Sequence, residues 1–235
     1  MSTSLQLIVF DLSGTTVEDH QGVQRCLQDA LRDAADVTIS LEAANRVMGI
    51  PKPVAIRQLL EEQQHPADAA LIETIHARFQ ERMIAYYRSD PRVHEKAGVS
   101  ETFRTLQEHD IRVVVNTGFD RSITDVLLEH MGWQHQGLID GSVTSDEVAA
   151  GRPAPDMIFR AMELTGVTSA AHVGKVGDTA SDLQEGTAAG CGLVVGVTTG
   201  AYTAEALAPE PHTHLIAQLP ELLSILALAP VPTRK

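Results

Sequence analysis

The sequence contains only two cysteines, Cys26 and Cys191, which lie far apart in the chain. They form no CxxC pair, which argues against a structural zinc site, and so few cysteines suit a reducing compartment. No apolar run approaches the roughly 18 residues that a membrane span needs. The N-terminus has no basic segment before its first short apolar run, which argues against a secretory signal. We therefore expect a cytoplasmic protein without a membrane partner.

Positive charge is also scarce, because 18 Lys and Arg stand against 31 Asp and Glu, a formal net charge of −13. Nucleic acids and anionic membranes are bound by basic surfaces, so neither is an expected partner. The same charge repels an anionic small molecule at long range. A site for such a molecule must therefore create a local positive field from a metal ion, a few basic side chains and helix N-termini.

What the sequence does contain is a series of short apolar runs, each followed by turn residues and a helical pattern. Runs of this kind are typical of strands buried on both faces of a parallel sheet. The repeated order of strand, short loop and helix predicts an α/β fold with a doubly wound parallel sheet. The predicted strands are residues 5–10, 111–115, 172–176 and 192–197.

The section between the first two predicted strands has helical periodicity and little strand character. Ser40 is a predicted N-cap, and Pro53 and Pro66 lie near predicted helix starts. A chain of 235 residues is long enough for a core domain with a smaller partner domain. We predict a core domain of residues 1–17 and 95–235, and an inserted all-helical domain of four helices that, with its linkers, covers residues 18–94.

Polar residues mark the carboxyl ends of the predicted strands, where doubly wound sheets bind their ligands. Asp11 ends the first run, Thr117 and Gly118 follow the second, and Asp178 follows the third. Gly14 allows a tight turn after Asp11, with backbone amides that face the same edge of the sheet. Purely structural roles remain as alternatives, because an aspartate can cap a turn and a threonine can be an ordinary helix N-cap.

Two further motifs carry charge. Arg152 lies between a glycine and a proline, rigid neighbours that indicate a specified position; the alternative is a solvated surface arginine. Asp178 and Asp182 are four residues apart and would repel each other unless a cation lay between them. Mg²⁺ suits such a site because it prefers a few carboxylates and keeps several waters. The alternative for the acidic pair is a capping box at the protein surface. Lys175, which precedes this motif, is either a structural partner of the carboxylates or a direct phosphate contact.

In this order, the segments DLSGT, NTG, GRPAP and GDTASD resemble the four motifs of the haloacid dehalogenase superfamily. The resemblance covers nearly the whole chain and implies a Rossmann-like core with a helical cap that closes over the site. It also implies that Asp11 is the nucleophile and forms an aspartyl-phosphate. The other implied roles are phosphoryl binding by Thr117, Gly118 and Arg152, and Mg²⁺ binding by Asp11, the Ser13 backbone carbonyl and Asp178, with support from Asp182.

Ser13 stands where most phosphatases of this superfamily carry a second aspartate, which protonates the leaving alkoxide and later activates water. Such positioned acid–base help is worth roughly 10²–10⁴ in rate, or about 3–5 kcal/mol of barrier. A serine hydroxyl is too weak an acid to replace it. We therefore expect an enzyme that is either slow on esters or releases a group that needs little protonation.

One branch of the superfamily, phosphonoacetaldehyde hydrolase or phosphonatase, also lacks this aspartate and carries arginine in the third motif. In that branch a cap lysine condenses with the substrate aldehyde, and the iminium accepts the electrons of the breaking P–C bond. The segment VMGIPK resembles the corresponding cap segment. The resemblance assigns Lys52 to the imine-forming position and Met48, Gly49 and Phe119 to the substrate site. It further implies a homodimer formed through the cap.

Three positions depart from that branch, because Ala55 replaces a histidine, Gln21 a cysteine and Phe119 a tyrosine. The leading hypothesis is a Mg²⁺-dependent hydrolase that cleaves phosphonoacetaldehyde or a related phosphonate through a Lys52 imine. This chemistry requires that burial under the cap lowers the pKa of the Lys52 amine. The alternatives are a phosphatase for a small phosphate monoester and a non-catalytic sensor of a phosphorylated ligand.

Overall fold

The computed structural model describes residues 5–229, so the outermost ends of the predicted core domain, residues 1–4 and 230–235, lie outside the described residues. The strands in chain order are β1 (Leu7–Asp11), β2 (Val17–Glu18), β3 (His94–Glu95), β4 (Arg112–Thr117), β5 (Gly141–Thr144), β6 (Val173–Gly177), β7 (Leu193–Val197) and β8 (His214–Ile216). Six of them form one sheet in the order β5-β4-β1-β6-β7-β8, and every neighbouring pair is parallel.

Helices flank this sheet and also fill the section between β2 and β3. In chain order they are α1 (Gly22–Ala35), α2 (Leu41–Arg46), α3 (Lys52–Glu62), α4 (Ala69–Ser89), α5 (Val99–Glu108), α6 (Arg121–Met131), α7 (Asp156–Thr165), α8 (Ala180–Ala189), α9 (Ala204–Leu207) and α10 (Glu221–Ile225). None of the helices within residues 5–229 is both long and apolar enough to cross a membrane.

The α/β class with a doubly wound parallel sheet is confirmed, and the four predicted strands correspond to β1, β4, β6 and β7. The predicted end of the second strand is wrong by two residues, because β4 continues to Thr117. The prediction misses β5 and β8, which form the two edges of the sheet. An edge strand pairs on one side only and is short, so it lacks the continuous apolar run used to find the others.

The sheet is buried on both faces, as the alternation of side chains along β1 illustrates. Ile8 and Phe10 belong to a core cluster that continues into α1, α3 and α4. Leu7 and Val9 point to the opposite face and pack with Met157 of α7. Because successive side chains of a strand alternate between faces, one apolar strand stabilises two layers of helices.

The four helices α1 to α4, called the cap helices below, correspond to the four helices predicted between the first two strands. They pack on one another, with α1 against α2 and α4, and α3 against α4. Ser40 is the N-cap of α2, as predicted, and its hydroxyl accepts a hydrogen bond from the Ala43 N–H at 3.1 Å. The chain enters and leaves this section side by side, because β2 and β3 form a small antiparallel pair.

Candidate active site

The carboxyl ends of β4, β1 and β6 are neighbours at one edge of the sheet. Asp11 and Thr117 are the last residues of β1 and β4, and Asp178 directly follows β6. A cavity of about 430 Å³ lies here, between this edge and the cap helices. The structure brings together around it the predicted site residues Asp11, Ser13, Met48, Gly49, Lys52, Thr117, Gly118, Phe119 and Asp178.

Three carboxylates form a compact acidic cluster beside this cavity. Asp11, Asp178 and Asp182 each offer an oxygen, and these atoms lie within 4.8 Å of one another. Burial raises the pKa of Asp11, and the charge of Asp182 raises it further. Burial also raises the pKa of Asp178, and Asp11 and Asp182 add to the effect. Hard oxygen donors that repel one another in this way fit a divalent cation such as Mg²⁺.

Asp178 is held in place by two surrounding loops. The Thr15 hydroxyl donates to Oδ1 at 2.9 Å, and the Ala201 N–H donates to Oδ2 at 2.7 Å. Gly14 and Gly200 lie so close to the carboxylate that neither position has space for a Cβ. The glycine of the first motif is therefore required by the approach of its backbone to Asp178.

Arg152 is 2% exposed and contacts four groups rather than the cavity. Nη1 donates to Asp11 Oδ1 at 2.6 Å and lies 2.9 Å from Asp182 Oδ1. Nε donates to Glu185 Oε2 at 3.0 Å, and Nη2 donates to the Asn116 carbonyl at 2.8 Å. Burial opposes its charge, but the three carboxylates raise its pKa above the ordinary value. Arg152 thus orients Asp11, and its predicted contact with a phosphoryl group stays a prediction.

Lys175 belongs to the same buried cluster. Its Nζ donates to Asn116 Oδ1 at 2.6 Å and lies 3.0 Å from Asp182 Oδ1 and 3.2 Å from Glu185 Oε2. Burial opposes ionisation of Asp182, but Arg152 and Lys175 hold its pKa below the usual range. Of the two roles considered for Lys175, the structure favours the partner of buried carboxylates.

Asp182 also caps α8. The Thr179 hydroxyl and N–H donate to Asp182 Oδ2 at 2.6 Å and 3.2 Å, which completes a capping box. The predicted capping box is therefore present, but the expectation that it lies at the protein surface is wrong, because Asp182 is fully buried. The same carboxylate caps the N-terminus of α8 and contacts the cationic groups of Arg152 and Lys175.

The cap helices approach the sheet closely through residues 48–51, which precede α3. A Cβ on Gly118 would lie 2.8 Å from the Ile50 carbonyl oxygen, so glycine is needed for this contact. Gly49 has a φ of +82° and leaves no space for a side chain beside Thr179 and Ser181. The segment thus contacts the loops after β4 and β6 at once and closes the cavity on the cap side.

Lys52 is the first residue of α3 and is 3% exposed. Its Nζ lies 5.3 Å from the ring centroid of Phe119 and 5.9 Å from that of Phe79. Its one hydrogen bond among the described residues is a long one of 3.4 Å to the Ile50 carbonyl. Burial lowers the pKa of Lys52 to about 8, although the charge of Asp11 opposes the shift. The amine can therefore lose its proton close to neutral pH.

Ser13 has its hydroxyl between two groups of the cap side. Its Oγ donates to Asp19 Oδ2 at 2.9 Å and lies 2.9 Å from the Tyr87 hydroxyl oxygen. Burial raises the pKa of Asp19, although the hydrogen bond from Ser13 opposes this. A carboxylate is thus present near position 13, but it comes from the segment that leads into α1.

The residues that depart from the phosphonatase pattern lie in different surroundings. Gln21 and Phe119 line the cavity, and Phe119 also contacts Lys52. Ala55 is fully buried in α3, one turn after Lys52. Two of the three substitutions therefore change the surface that a substrate meets.

Several functional contacts were not found from the sequence. Glu185 lies three residues after Asp182, hence on the same side of α8, and this spacing was a usable signal. Asn116 adjoins Thr117, but its role depends on Arg152 and Lys175, which no local pattern links to it. The contact of Ser13 with Tyr87 spans 74 residues and has no local signal at all.

Residues 8–196 match the family described as haloacid dehalogenase-like hydrolase. The phosphonoacetaldehyde hydrolase of Bacillus cereus is 33% identical over 209 residues, which cover 83% of this chain and 76% of that protein. A phosphonoacetaldehyde hydrolase like protein from Oleispira antarctica has a similar structure, with a TM-score of 0.85 at 19% identity over 95% of this chain and 91% of that chain. A hydrolase from Pseudomonas syringae gives a TM-score of 0.84 at 20% identity over 96% and 98%.

The two solved structures support the fold, and the sequence matches extend this to the family. The matched region contains all four motifs, and the structure places their residues in and beside one cavity. The chain belongs to the haloacid dehalogenase-like hydrolases, in their phosphonoacetaldehyde hydrolase-like branch.

Proposed function

We propose that this hydrolase cleaves the P–C bond of phosphonoacetaldehyde or a related β-carbonyl phosphonate. The observation that carries the proposal is the position of Lys52, a buried amine with a lowered pKa, on the same cavity as Asp11. Lys52 comes from the cap helices and Asp11 from the sheet. A substrate between them can meet an amine at its carbonyl end and a carboxylate at its phosphorus.

In the proposed first step, the neutral Lys52 amine attacks the carbonyl carbon to give a carbinolamine, which takes up a proton from solvent and loses water to give an iminium. Asp11 then attacks phosphorus, so that an O–P bond forms while the P–C bond breaks. The electron pair of that bond moves to the iminium nitrogen and yields an enamine. No alkoxide is released, which agrees with Ser13 in place of an acid.

The second half restores both side chains. Water attacks the aspartyl-phosphate on Asp11, which releases phosphate and the free carboxylate. The enamine takes up a proton on carbon, and hydrolysis of the resulting imine releases acetaldehyde and the Lys52 amine. Arg152 keeps Asp11 in position throughout, because Nη1 donates to Asp11 Oδ1.

We further propose Mg²⁺ as the cofactor, held by Asp11, Asp178 and the Ser13 carbonyl. When bound, it would neutralise negative charge on the transferred phosphoryl group. Asp178 is oriented for this role by Thr15 and Ala201. Asp182 stays in contact with Arg152 and Lys175 and so helps to hold Arg152 against Asp11.

A phosphatase for a small phosphate monoester is the second candidate. The observation that favours it is the replacement of proton-handling residues of the phosphonatase branch by Gln21, Ala55 and Phe119. Position 13 carries a serine and not a general-acid aspartate, which counts against efficient ester hydrolysis. A panel of small phosphate esters, assayed beside phosphonoacetaldehyde for phosphate release, separates the two activities.

The imine mechanism is tested by borohydride reduction in the presence of phosphonoacetaldehyde, followed by peptide mass spectrometry. In the wild-type protein we expect an N-ethyl group on Lys52, because P–C cleavage precedes trapping. In Asp11→Asn we expect an N-phosphonoethyl group, because the imine forms but phosphorus has no nucleophile. Lys52→Arg should give neither adduct at this position.

Full phosphate release by Lys52→Arg, without an adduct in the wild-type protein, would remove the imine and leave a hydrolase that acts through Asp11 alone. Higher activity on an ester than on any phosphonate would favour the phosphatase. Ligand binding without turnover of any compound would favour the phospho-ligand sensor.

A further inference from the structure

Asp19 forms part of the cavity wall on the cap side and is 7% exposed. The hydroxyls of Ser13 and Tyr87 both donate to Oδ2, at 2.9 Å and 3.5 Å. Among residues 5–229, no Lys, Arg or His nitrogen lies within 4.0 Å of this carboxylate. A buried carboxylate without a cation is costly to maintain, so it attracts a cationic or donor group of a ligand.

Gln24 lies in the first turn of α1, lines the same cavity and is 8% exposed. Its Nε2 donates to Asn45 Oδ1 at 2.9 Å, which fixes the orientation of the amide. The other end, Oε1, is buried and accepts no hydrogen bond from any described residue. An unsatisfied buried acceptor of this kind is relieved by a ligand that brings a donor.

The cavity also has room for more than a two-carbon phosphonate. Its volume of about 430 Å³ falls in the range of roughly 300–1,000 Å³ that accommodates drug-sized ligands. The acceptors Asp19 and Gln24 come from the same segment at the start of α1, while Lys52 comes from α3. A substrate bound to Lys52 through its carbonyl carbon could therefore carry a further group toward that segment.

We infer that the substrate is a β-carbonyl phosphonate that bears an amino group beside its carbonyl, recognised by Asp19 and Gln24. This inference rests on the proposed function for the carbonyl and the P–C bond. The ammonium form is favoured over a hydroxyl because no described Lys, Arg or His nitrogen lies within 4.0 Å of the Asp19 carboxylate. Phosphonoacetaldehyde itself brings no such donor and would leave both acceptors unused.

The test compares matched pairs of compounds that differ by one amino group. The P–C pair is 3-amino-2-oxopropylphosphonate against 2-oxopropylphosphonate, and the P–O pair is 2-aminoethyl phosphate against ethyl phosphate. In the wild-type protein we expect kcat/KM to favour the amino member of the P–C pair at least tenfold. Asp19→Asn and Gln24→Leu should each lower that ratio at least fivefold.

Glu18→Gln is the matched control, because Glu18 lines the same cavity but is already paired with Lys96 at 2.7 Å. This variant should keep the wild-type ratio. Melting temperatures report whether each variant folds. If Asp19→Asn does not fold, the inference is tested with Gln24→Leu. Where no compound is turned over, the same pairs are compared by calorimetric Kd.

A ratio near one in the wild-type protein, together with cleavage of phosphonoacetaldehyde, would overturn the amino-group inference and leave the proposed function intact. Preference for the amino member in the P–O pair alone, lost in Gln24→Leu, would support the recognition site but overturn P–C cleavage. Equal Kd values within both pairs would overturn the inference where turnover is absent.

Discussion

Two lysines are buried on opposite sides of this active site, and their surroundings differ in kind. Lys175 on β6 lies within 3.2 Å of Asn116, Asp182 and Glu185. Lys52 on α3 has two aromatic rings and one distant carbonyl. Burial is almost the same, so the partners decide what each amine can do. Lys175 forms ion pairs with buried carboxylates, whereas Lys52 lies beside two aromatic rings and has a pKa that burial lowers to about 8, so that its amine can lose its proton near neutral pH.

The largest effect is expected for Lys175→Met. The substitution leaves Asp182 and Glu185 buried, with Arg152 as their remaining cation among residues 5–229. Removing one partner of a buried ionic cluster typically costs about 3–5 kcal/mol, and we expect a loss of that size in the free energy of unfolding. Urea denaturation measures it. A loss below about 1 kcal/mol would show that Lys175 does not stabilise the buried carboxylates in the expected way.

Lys52→Met is expected to raise the free energy of unfolding, whereas Lys175→Met lowers it. Burial lowers the pKa of Lys52 from 10.5 to about 8, so folding at pH 7 disfavours its charged form. At 1.36 kcal/mol per pKa unit, replacing it should stabilise the protein by roughly 3 kcal/mol at pH 7.

The stabilisation expected for Lys52→Met depends on pH. The destabilisation by Lys52 is fully present below pH 8, decreases as the pH rises above 8, and is gone above the unfolded pKa of 10.5. The urea midpoints of the wild-type protein and of Lys52→Met should therefore converge between pH 8 and pH 10.5. A constant difference across this range would contradict a lowered pKa.

The chemical side of the comparison is tested by the pH dependence of imine trapping on Lys52. With a pKa of about 8, the neutral fraction and the trapping rate should rise about tenfold from pH 7 to 9 and then level off. An unperturbed lysine would rise about a hundredfold over this range. Pulse reduction with borohydride and peptide mass spectrometry measures the rate. A hundredfold rise would mean that burial does not activate this amine.

Lys96 provides the smallest effect and a control for both buried lysines. It forms an ion pair with Glu18 at 2.7 Å near the cavity, with partly exposed side chains. Pairs of this kind contribute roughly 0–1 kcal/mol, and salt screens them. Lys96→Met should therefore change the free energy of unfolding by less than about 1 kcal/mol, and less still in high salt. A larger loss in the free energy of unfolding that does not change with salt would mean that Lys96, like Lys175, stabilises the protein through a buried ion pair.

The sequence predicted the strands that matter for the site, and it missed the edge strands β5 and β8. Asp11, Thr117 and Asp178 were placed at one edge because parallel strands end on the same side of a sheet. The roles of Asn116, Glu185, Asp19 and Tyr87 were not predicted. Each acts through a residue distant in the chain, or through the side of a strand or helix that only packing reveals.

The sequence by itself determined the class of fold, the four motifs and the family, because apolar runs and contiguous loop residues are local properties of a chain. Only the tertiary structure decided which charges share a buried space. Arg152 was enclosed by Asp11, Asp182 and Glu185, and Lys52 was placed beside two phenylalanine rings. The reason is physical: proton affinity depends on burial and on charges a few ångströms away in space, and chain distance does not determine either.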